Sequence, residues 1–106
     1  MHVLQGAGTV PRAGGTQYAE HLRVSDLSLG TYFIPAGGAD QQQPHTEDEV
    51  YVVVRGRARL WTPTAAVAVE AGTVVFMPAG EEHLFVDVVE DLTVLVVFAP
   101  AEHSMR

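Results

Sequence analysis

The sequence predicts an all-β protein that folds as a sandwich or barrel. Short runs of β-branched and aromatic residues recur along the chain, and Gly, Pro or acidic residues separate one run from the next. Gly and Pro also interrupt every window that is long enough for a helix. A chain of 106 residues, 47% of them hydrophobic, is suited to one domain with a single core.

The individual strands are predicted from apolar runs that either alternate with polar residues or are apolar throughout. Residues 55–57, Arg-Gly-Arg, indicate the tight turn of a hairpin, and residues 90–91 indicate another turn. Residues 1–16 are expected to form an irregular arm and residues 101–106 a loose tail, which leaves residues 17–100 for the barrel. The predicted strands are residues 21–28, 29–34, 50–54, 58–62, 65–70, 73–77, 83–88 and 92–98.

The composition excludes several classes of partner and chemistry. The formal charge is −7, so phosphate backbones and anionic lipid surfaces should repel the protein, and we expect neither nucleic acid nor membrane as a partner. Arg55, Arg57 and Arg59 alternate and can share one strand face, which is most simply a solvated face. The chain has no lysine for Schiff-base chemistry and no cysteine for disulfides, thiolate nucleophiles or thiolate metal ligands.

The apolar segments bear on compartment and assembly. Residues 1–8 lack the basic and apolar regions of a secretory signal, and the longest apolar run, residues 92–100, is too short and too β-branched to span a membrane. We therefore expect a cytoplasmic protein. The predicted strands 50–54 and 92–98 are apolar on both faces, and only one face of each can fill the core. A homodimer, in which a second copy covers the other face, is the expected assembly.

Three side chains stand out as candidate metal ligands. His45, Glu49 and His83 supply two imidazoles and a carboxylate, a donor set suited to a divalent transition metal with open coordination positions. On a straight strand His45 and Glu49 would lie about 13 Å apart, so they can share a metal only if the turn-prone residues between them bend the chain. Gln43 should face the same way as His45, and its amide oxygen is a weaker, neutral donor.

The same residues also have simpler interpretations. Each histidine can be an ordinary hydrogen-bonded polar residue, and Glu47, Glu81 and Glu82 can be solvated acidic residues in turns. A carboxylate inside a barrel needs a metal, a proton or an arginine, because an unpaired buried charge costs on the order of several kcal/mol. Glu49 could therefore pair with Arg55 or Arg57 instead of a metal. In that case His45 and His83 would only form hydrogen bonds.

Strand alternation suggests which residues line the interior. Tyr51 and Val53 share parity with Glu49, and Phe85 shares parity with His83, so their side chains should point to the same side of their strands. A lumen of Tyr, Val and Phe would take a small, partly apolar organic molecule. The alternative is that these residues simply fill the core.

The two segments that carry these residues resemble the paired motifs of the cupin superfamily. Gly37, Gln43, His45, Glu49 and Gly56 stand at the intervals of the first cupin motif, with Gln43 where the family usually has a histidine ligand. The second motif is matched by Gly72, Pro78, Gly80 and His83, with Asp87 where asparagine is usual. The short spacer between the motifs resembles that of small microbial cupins.

This resemblance implies a double-stranded β-helix, or jelly-roll, barrel as a single cupin domain. It also implies a metal site formed by His45, Glu49 and His83, with Gln43 as a weaker fourth ligand, for Fe, Mn, Ni or Zn. The function expected first is that of a mononuclear metal-dependent enzyme, dioxygenase-like, acting on a small organic molecule in the barrel. A non-catalytic small-molecule or metal-binding module and an isomerase or cyclase remain as alternatives, since the fold does not decide among them.

Overall fold

All regular structure in the described part of the chain is β, as predicted. The computed structural model describes residues 1–9, 14–42 and 44–103, and these contain no helix. It follows that they contain no helix long and apolar enough to cross a membrane. The strands are β1 (Gln17–Val24), β2 (Leu27–Ile34), β3 (Asp48–Thr62), β4 (Ala65–Glu70), β5 (Val74–Met77) and β6 (Leu84–Ala99).

The strands form one antiparallel sheet in the order β1-β2-β6-β3-β4, and β5 also pairs with β3. Its centre is the pair of long strands, β3 with 15 residues and β6 with 16. β5 pairs with the first part of β3, and β4 pairs with its last part. β3 therefore has a different partner strand along each half of this edge. One buried cluster, with members from β2 to β6, fills the interior.

The hairpin predicted at residues 55–57 is wrong. β3 runs through this segment without a turn, and its pairing with β6 shifts register at three places between Val53 and Arg59. Gly56 has φ of 97°, and a Cβ there would lie 2.2 Å from the Asp91 carbonyl oxygen of β6. The glycine therefore marks a bulge where two backbones approach closely, a feature that shares its residue signature with a tight turn. The turn predicted at residues 90–91 is likewise absent, because β6 is continuous there.

Asp87 occupies a left-handed backbone position within β6. Its φ is 50°, a region that most residues avoid and that Asn and Asp tolerate better than others. This gives a physical reason why aspartate can stand where the cupin motif usually has asparagine.

The first half of β3 follows the predicted alternation. Glu49, Tyr51 and Val53 are buried, whereas the residues between them are more exposed. This shared face points into the barrel and carries the predicted carboxylate ligand on the same side as the core.

The two ends of the chain differ in how they are held. Residues 1–9 and 14–16 contain no strand. Of the tail expected to be loose, Ala101 is 2% exposed, and the backbone N–H of Glu102 donates to Ser28 Oγ at 2.8 Å. Residues 101–103 thus pack against the barrel, while residues 104–106 lie outside the described residues.

Candidate metal centre

Two loops bring the predicted ligands to one end of the barrel. His45 precedes β3, Glu49 is the second residue of β3, and His83 immediately precedes β6. A backbone hydrogen bond of 2.7 Å from the N–H of Gly80 to the carbonyl of His45 ties the two loops together. This bond bridges the two sequence motifs and places His83 beside His45 and Glu49.

One carboxylate oxygen lies between the two imidazoles. Glu49 Oε1 is 3.3 Å from His45 Nδ1 and 3.4 Å from His83 Nε2. The exposed fraction is 8% for His45, 1% for Glu49 and 4% for His83. Donor atoms that bind one metal at about 2.0–2.2 Å lie roughly 3 Å from one another, so the spacing is compatible with a common cation. Gln43, the predicted fourth ligand, lies outside the described residues.

The far nitrogen of each imidazole is held by an acceptor. His83 Nδ1 lies 2.7 Å from the backbone carbonyl oxygen of Glu81, and a carbonyl can only accept, so this nitrogen carries a proton. His45 Nε2 lies 2.8 Å from Glu102 Oε2 and donates to that carboxylate. In a neutral ring the other nitrogen then has a lone pair, and both lone pairs face Glu49. Metal-binding histidines in proteins are usually held in this way.

Two polar atoms of the cluster lack a hydrogen-bond partner among the described residues. His45 Nδ1 and Glu49 Oε2 are buried and have no hydrogen-bond partner there. Burial alone would lower the pKa of His45, but the neighbouring Glu49 and Glu102 carboxylates outweigh it, so the pKa is raised above the ordinary 6.5. The site therefore attracts positive charge. A proton on His45 supplies it at one nitrogen, whereas a divalent cation would supply it to all three donors.

Comparison with known proteins identifies the fold family. The cupin domain model matches residues 30–98, which include all three candidate ligands. The chain belongs to the cupin domain family. Domains of this family often bind a metal. The donor set and the unpaired atoms of this cupin are compatible with such a group.

Similar proteins are found by sequence and by structure. An uncharacterized protein of Streptomyces coelicolor is 47% identical over 85 residues, covering 80% of this chain and 81% of its own. An RmlC-like cupin with a double-stranded β-helix fold from Methanocaldococcus jannaschii has a TM-score of 0.77 at 15% identity, covering 94% of this chain and 91% of its own. The DMSP lyase DddQ from Ruegeria pomeroyi has a TM-score of 0.74 at 19% identity, covering 93% and 54%. These two likenesses establish the double-stranded β-helix fold.

The cupin site needs a local adjustment before it can take a metal. Within the described ranges, no group of three or more His, Asp or Glu side chains is already arranged to hold an ion. The Tyr51 hydroxyl lies 2.8 Å from His83 Nε2 and donates to the lone pair that a cation would use. Burial, and next the charge of Glu49, raises the pKa of Tyr51, so the phenol keeps its proton. The Tyr51 hydroxyl is thus hydrogen-bonded to His83 Nε2, one of the three candidate donor atoms.

The alternative pairing of Glu49 with arginine is not what the described residues form. The ion pairs of Glu49 are with the two histidines. Arg57 instead lies 3.9 Å from Glu70 and 3.8 Å from Glu90, on an exposed face. That face matches the solvated arginine face expected from the alternation.

The predicted lining residues are buried in the interior of the barrel. Tyr51 is fully buried, and its ring packs edge-on against Phe85 with 5.0 Å between ring centroids. Val53 and Phe85 are each 1% exposed members of the core cluster. Two surface cavities of about 390 and 370 Å³ are lined by other residues of β3, β4, β5, β6 and the adjoining loops. Of the three residues, Tyr51 is the one whose polar atom contacts a candidate ligand.

Sequence reasoning missed the residues that close the site from the other side. Glu47, expected to be solvated, is 1% exposed, and its Oε1 accepts a hydrogen bond of 2.9 Å from the backbone N–H of His103. Glu102 reaches His45 from 57 positions away in sequence. Neither the acidic turn nor the tail has a local pattern that signals this contact.

Proposed function

We propose that this cupin binds one divalent transition metal through His45, Glu49 and His83. The observation that supports it is the pair of buried imidazoles whose far nitrogens are held by Glu102 and the Glu81 carbonyl, so that the near nitrogens face one buried carboxylate. Without a cation, the Tyr51 hydroxyl partners only His83 Nε2, and the buried His45 Nδ1 and Glu49 Oε2 have no hydrogen-bond partner among the described residues, which is unfavourable. A metal of the Fe, Mn, Ni or Zn type suits two nitrogen donors and one oxygen donor.

We further propose that the bound metal serves a dioxygenase-like reaction on a small organic molecule. When bound, such a metal supplies Lewis-acid or redox chemistry at its open coordination positions. The chain's own residues would hold the reacting centre. His45 and His83 are fixed in orientation by their hydrogen bonds, and the Tyr51 hydroxyl is a buried hydrogen-bond donor beside them. One structural neighbour, from Ruegeria pomeroyi, is a DMSP lyase, so catalysis occurs on this fold.

The metal proposal is tested by elemental analysis of protein that was purified without a metal-affinity column. We expect close to one divalent ion per chain in the wild type and a large loss in Glu49→Gln, which keeps the side-chain volume but removes the charge. Glu90→Gln, in an exposed ion pair with Arg57, is the matched control and should retain the metal. Wild-type protein with less than about a tenth of an equivalent, even after incubation with each candidate ion, would contradict the proposal.

The catalytic proposal requires a separate experiment. Protein reconstituted with each ion is incubated with a panel of small organic acids, alcohols and phenols, and oxygen consumption and product formation are followed. Metal-dependent oxygen uptake that stops on chelation supports the dioxygenase-like reaction. Turnover that persists after complete chelation supports the isomerase or cyclase alternative, and tight metal binding without turnover supports the binding module.

A further inference from the structure

Glu102 lies where it can control which nitrogen of His45 faces the metal site. Its Oε2 is 2.8 Å from His45 Nε2, while the opposite ring nitrogen, Nδ1, is 3.3 Å from Glu49 Oε1. The two ring nitrogens point in different directions, so Glu102 cannot ligate a metal that sits on Nδ1. Its carboxylate instead accepts the Nε2 proton, and this leaves the Nδ1 lone pair for the metal.

The backbone around Glu102 is anchored on three sides. Its N–H donates to Ser28 Oγ at 2.8 Å, and its carbonyl accepts a hydrogen bond of 2.6 Å from Arg23. The next residue, His103, donates its backbone N–H to the buried Glu47 carboxylate at 2.9 Å. These bonds fix the position from which the Glu102 side chain reaches the site, although the residue lies beyond the last strand.

The carboxylate is also shielded from water. The side chain of Glu102 is 13% exposed, and the His103 imidazole lies against His45 with 5.8 Å between ring centroids. The Phe98 ring packs against His45 as well, with a centroid distance of 4.5 Å. A charged hydrogen bond in such surroundings is stronger than one at the surface, and it keeps the imidazole in a single orientation.

We propose that Glu102 is a positioning residue that makes His45 bind the metal through Nδ1. This inference rests on the proposed metal site but goes beyond it, since it assigns the ligating atom and a residue from the C-terminal segment. Removal of a partner that orients a metal-binding histidine typically lowers metal affinity 10- to 100-fold. We expect that loss in Glu102→Ala. Glu102→Gln should lose less, because its amide oxygen still accepts the Nε2 proton but carries no charge.

The test combines nitrogen NMR of the imidazoles with zinc titrations. In zinc-loaded wild-type protein labelled with ¹⁵N-histidine, we expect His45 to carry its proton on Nε2 and zinc on Nδ1. Zinc dissociation constants are measured by chelator competition for the wild type, Glu102→Ala, Glu102→Gln and the control Glu90→Gln. The expected order of affinity is wild type equal to the control, then the Gln variant, then the Ala variant.

Each outcome has a distinct meaning. Wild-type protein that binds no zinc overturns the proposed function together with this inference. Wild-type protein that binds zinc through His45 Nε2, or a Glu102→Ala variant with affinity within twofold of wild type, overturns only the role of Glu102. If the Ala variant does not fold, the wild-type NMR result and the Gln variant decide, because neither depends on it.

Discussion

Replacing Tyr51 by phenylalanine should change apo stability and metal affinity in opposite directions. The variant keeps the buried ring, which packs against Phe85, and removes only the hydroxyl that lies 2.8 Å from His83 Nε2. In the metal-free protein this leaves a buried nitrogen without its donor. The penalty for such a group is about 1–3 kcal/mol, so the free energy of unfolding should fall by that amount.

The same change should tighten metal binding. In the wild type a cation must displace the Tyr51 hydroxyl from the His83 lone pair, and this cost is absent in the variant. Each 1.4 kcal/mol of relief corresponds to about a tenfold lower dissociation constant. We therefore expect zinc to bind Tyr51→Phe several-fold to about tenfold more tightly than the wild type.

Urea unfolding of metal-free protein and chelator competition for zinc measure the two quantities. Tyr32→Phe is the matched control, because Tyr32 is also buried and donates a hydrogen bond of 2.6 Å, but to Asp40 and not to a candidate ligand. That variant should lose stability without a change in zinc affinity. Weaker zinc binding by Tyr51→Phe would refute the reasoning, since it would mean that the phenol oxygen is itself a donor to the metal.

Four further predictions concern ligands, pH, backbone and assembly. His83→Ala should remove most bound metal and Gln43→Ala less, as measured by elemental analysis, and equal losses would mean that the ligands are ranked wrongly. The pKa of His45 is raised, so its charged form stabilises the metal-free protein, and this stability should be lost as pH rises through that pKa. Zinc affinity should increase over the same pH range, because the proton no longer competes with the metal. Stability in urea and zinc affinity that rise or fall together with pH would contradict this. Gly56→Ala should lower the free energy of unfolding in urea by more than about 2 kcal/mol, because the left-handed backbone and the close Asp91 carbonyl both exclude a Cβ. The control Gly14→Ala has open space around it and should lower the free energy of unfolding little. Equal losses in the two variants would contradict the bulge at Gly56. Light scattering should report a dimer that covers exposed apolar strand residues, and a clean monomer at all concentrations would contradict that proposal.

Local patterns were sufficient to predict the fold class and to select the three candidate ligands. Alternation in β3 placed Glu49, Tyr51 and Val53 on one buried face, as observed. The resemblance to the cupin motifs implied that His45 and His83 would approach Glu49, and both imidazoles lie within 3.4 Å of its carboxylate. These features depend on strand period and loop length, both of which are written in short stretches of sequence.

Other features depend on contacts that no short stretch encodes. A glycine between arginines has the same signature in a tight turn and in a bulge, and only the approach of Asp91 to Gly56 distinguishes the two. Glu102 has no motif around it, and its role arises from folding the tail back onto His45. Parity likewise predicted that Phe85 would be buried, but it could not separate a core residue from one that lines a cavity.

The most direct measurement is an anomalous difference map from crystals of zinc-loaded protein, recorded at the zinc absorption edge. We expect one strong peak bonded to His45 Nδ1, a Glu49 oxygen and His83 Nε2, each at about 2.0–2.2 Å. A fully loaded crystal in which the zinc lies elsewhere, or in which the three side chains keep their hydrogen bonds and bind no ion, would contradict it.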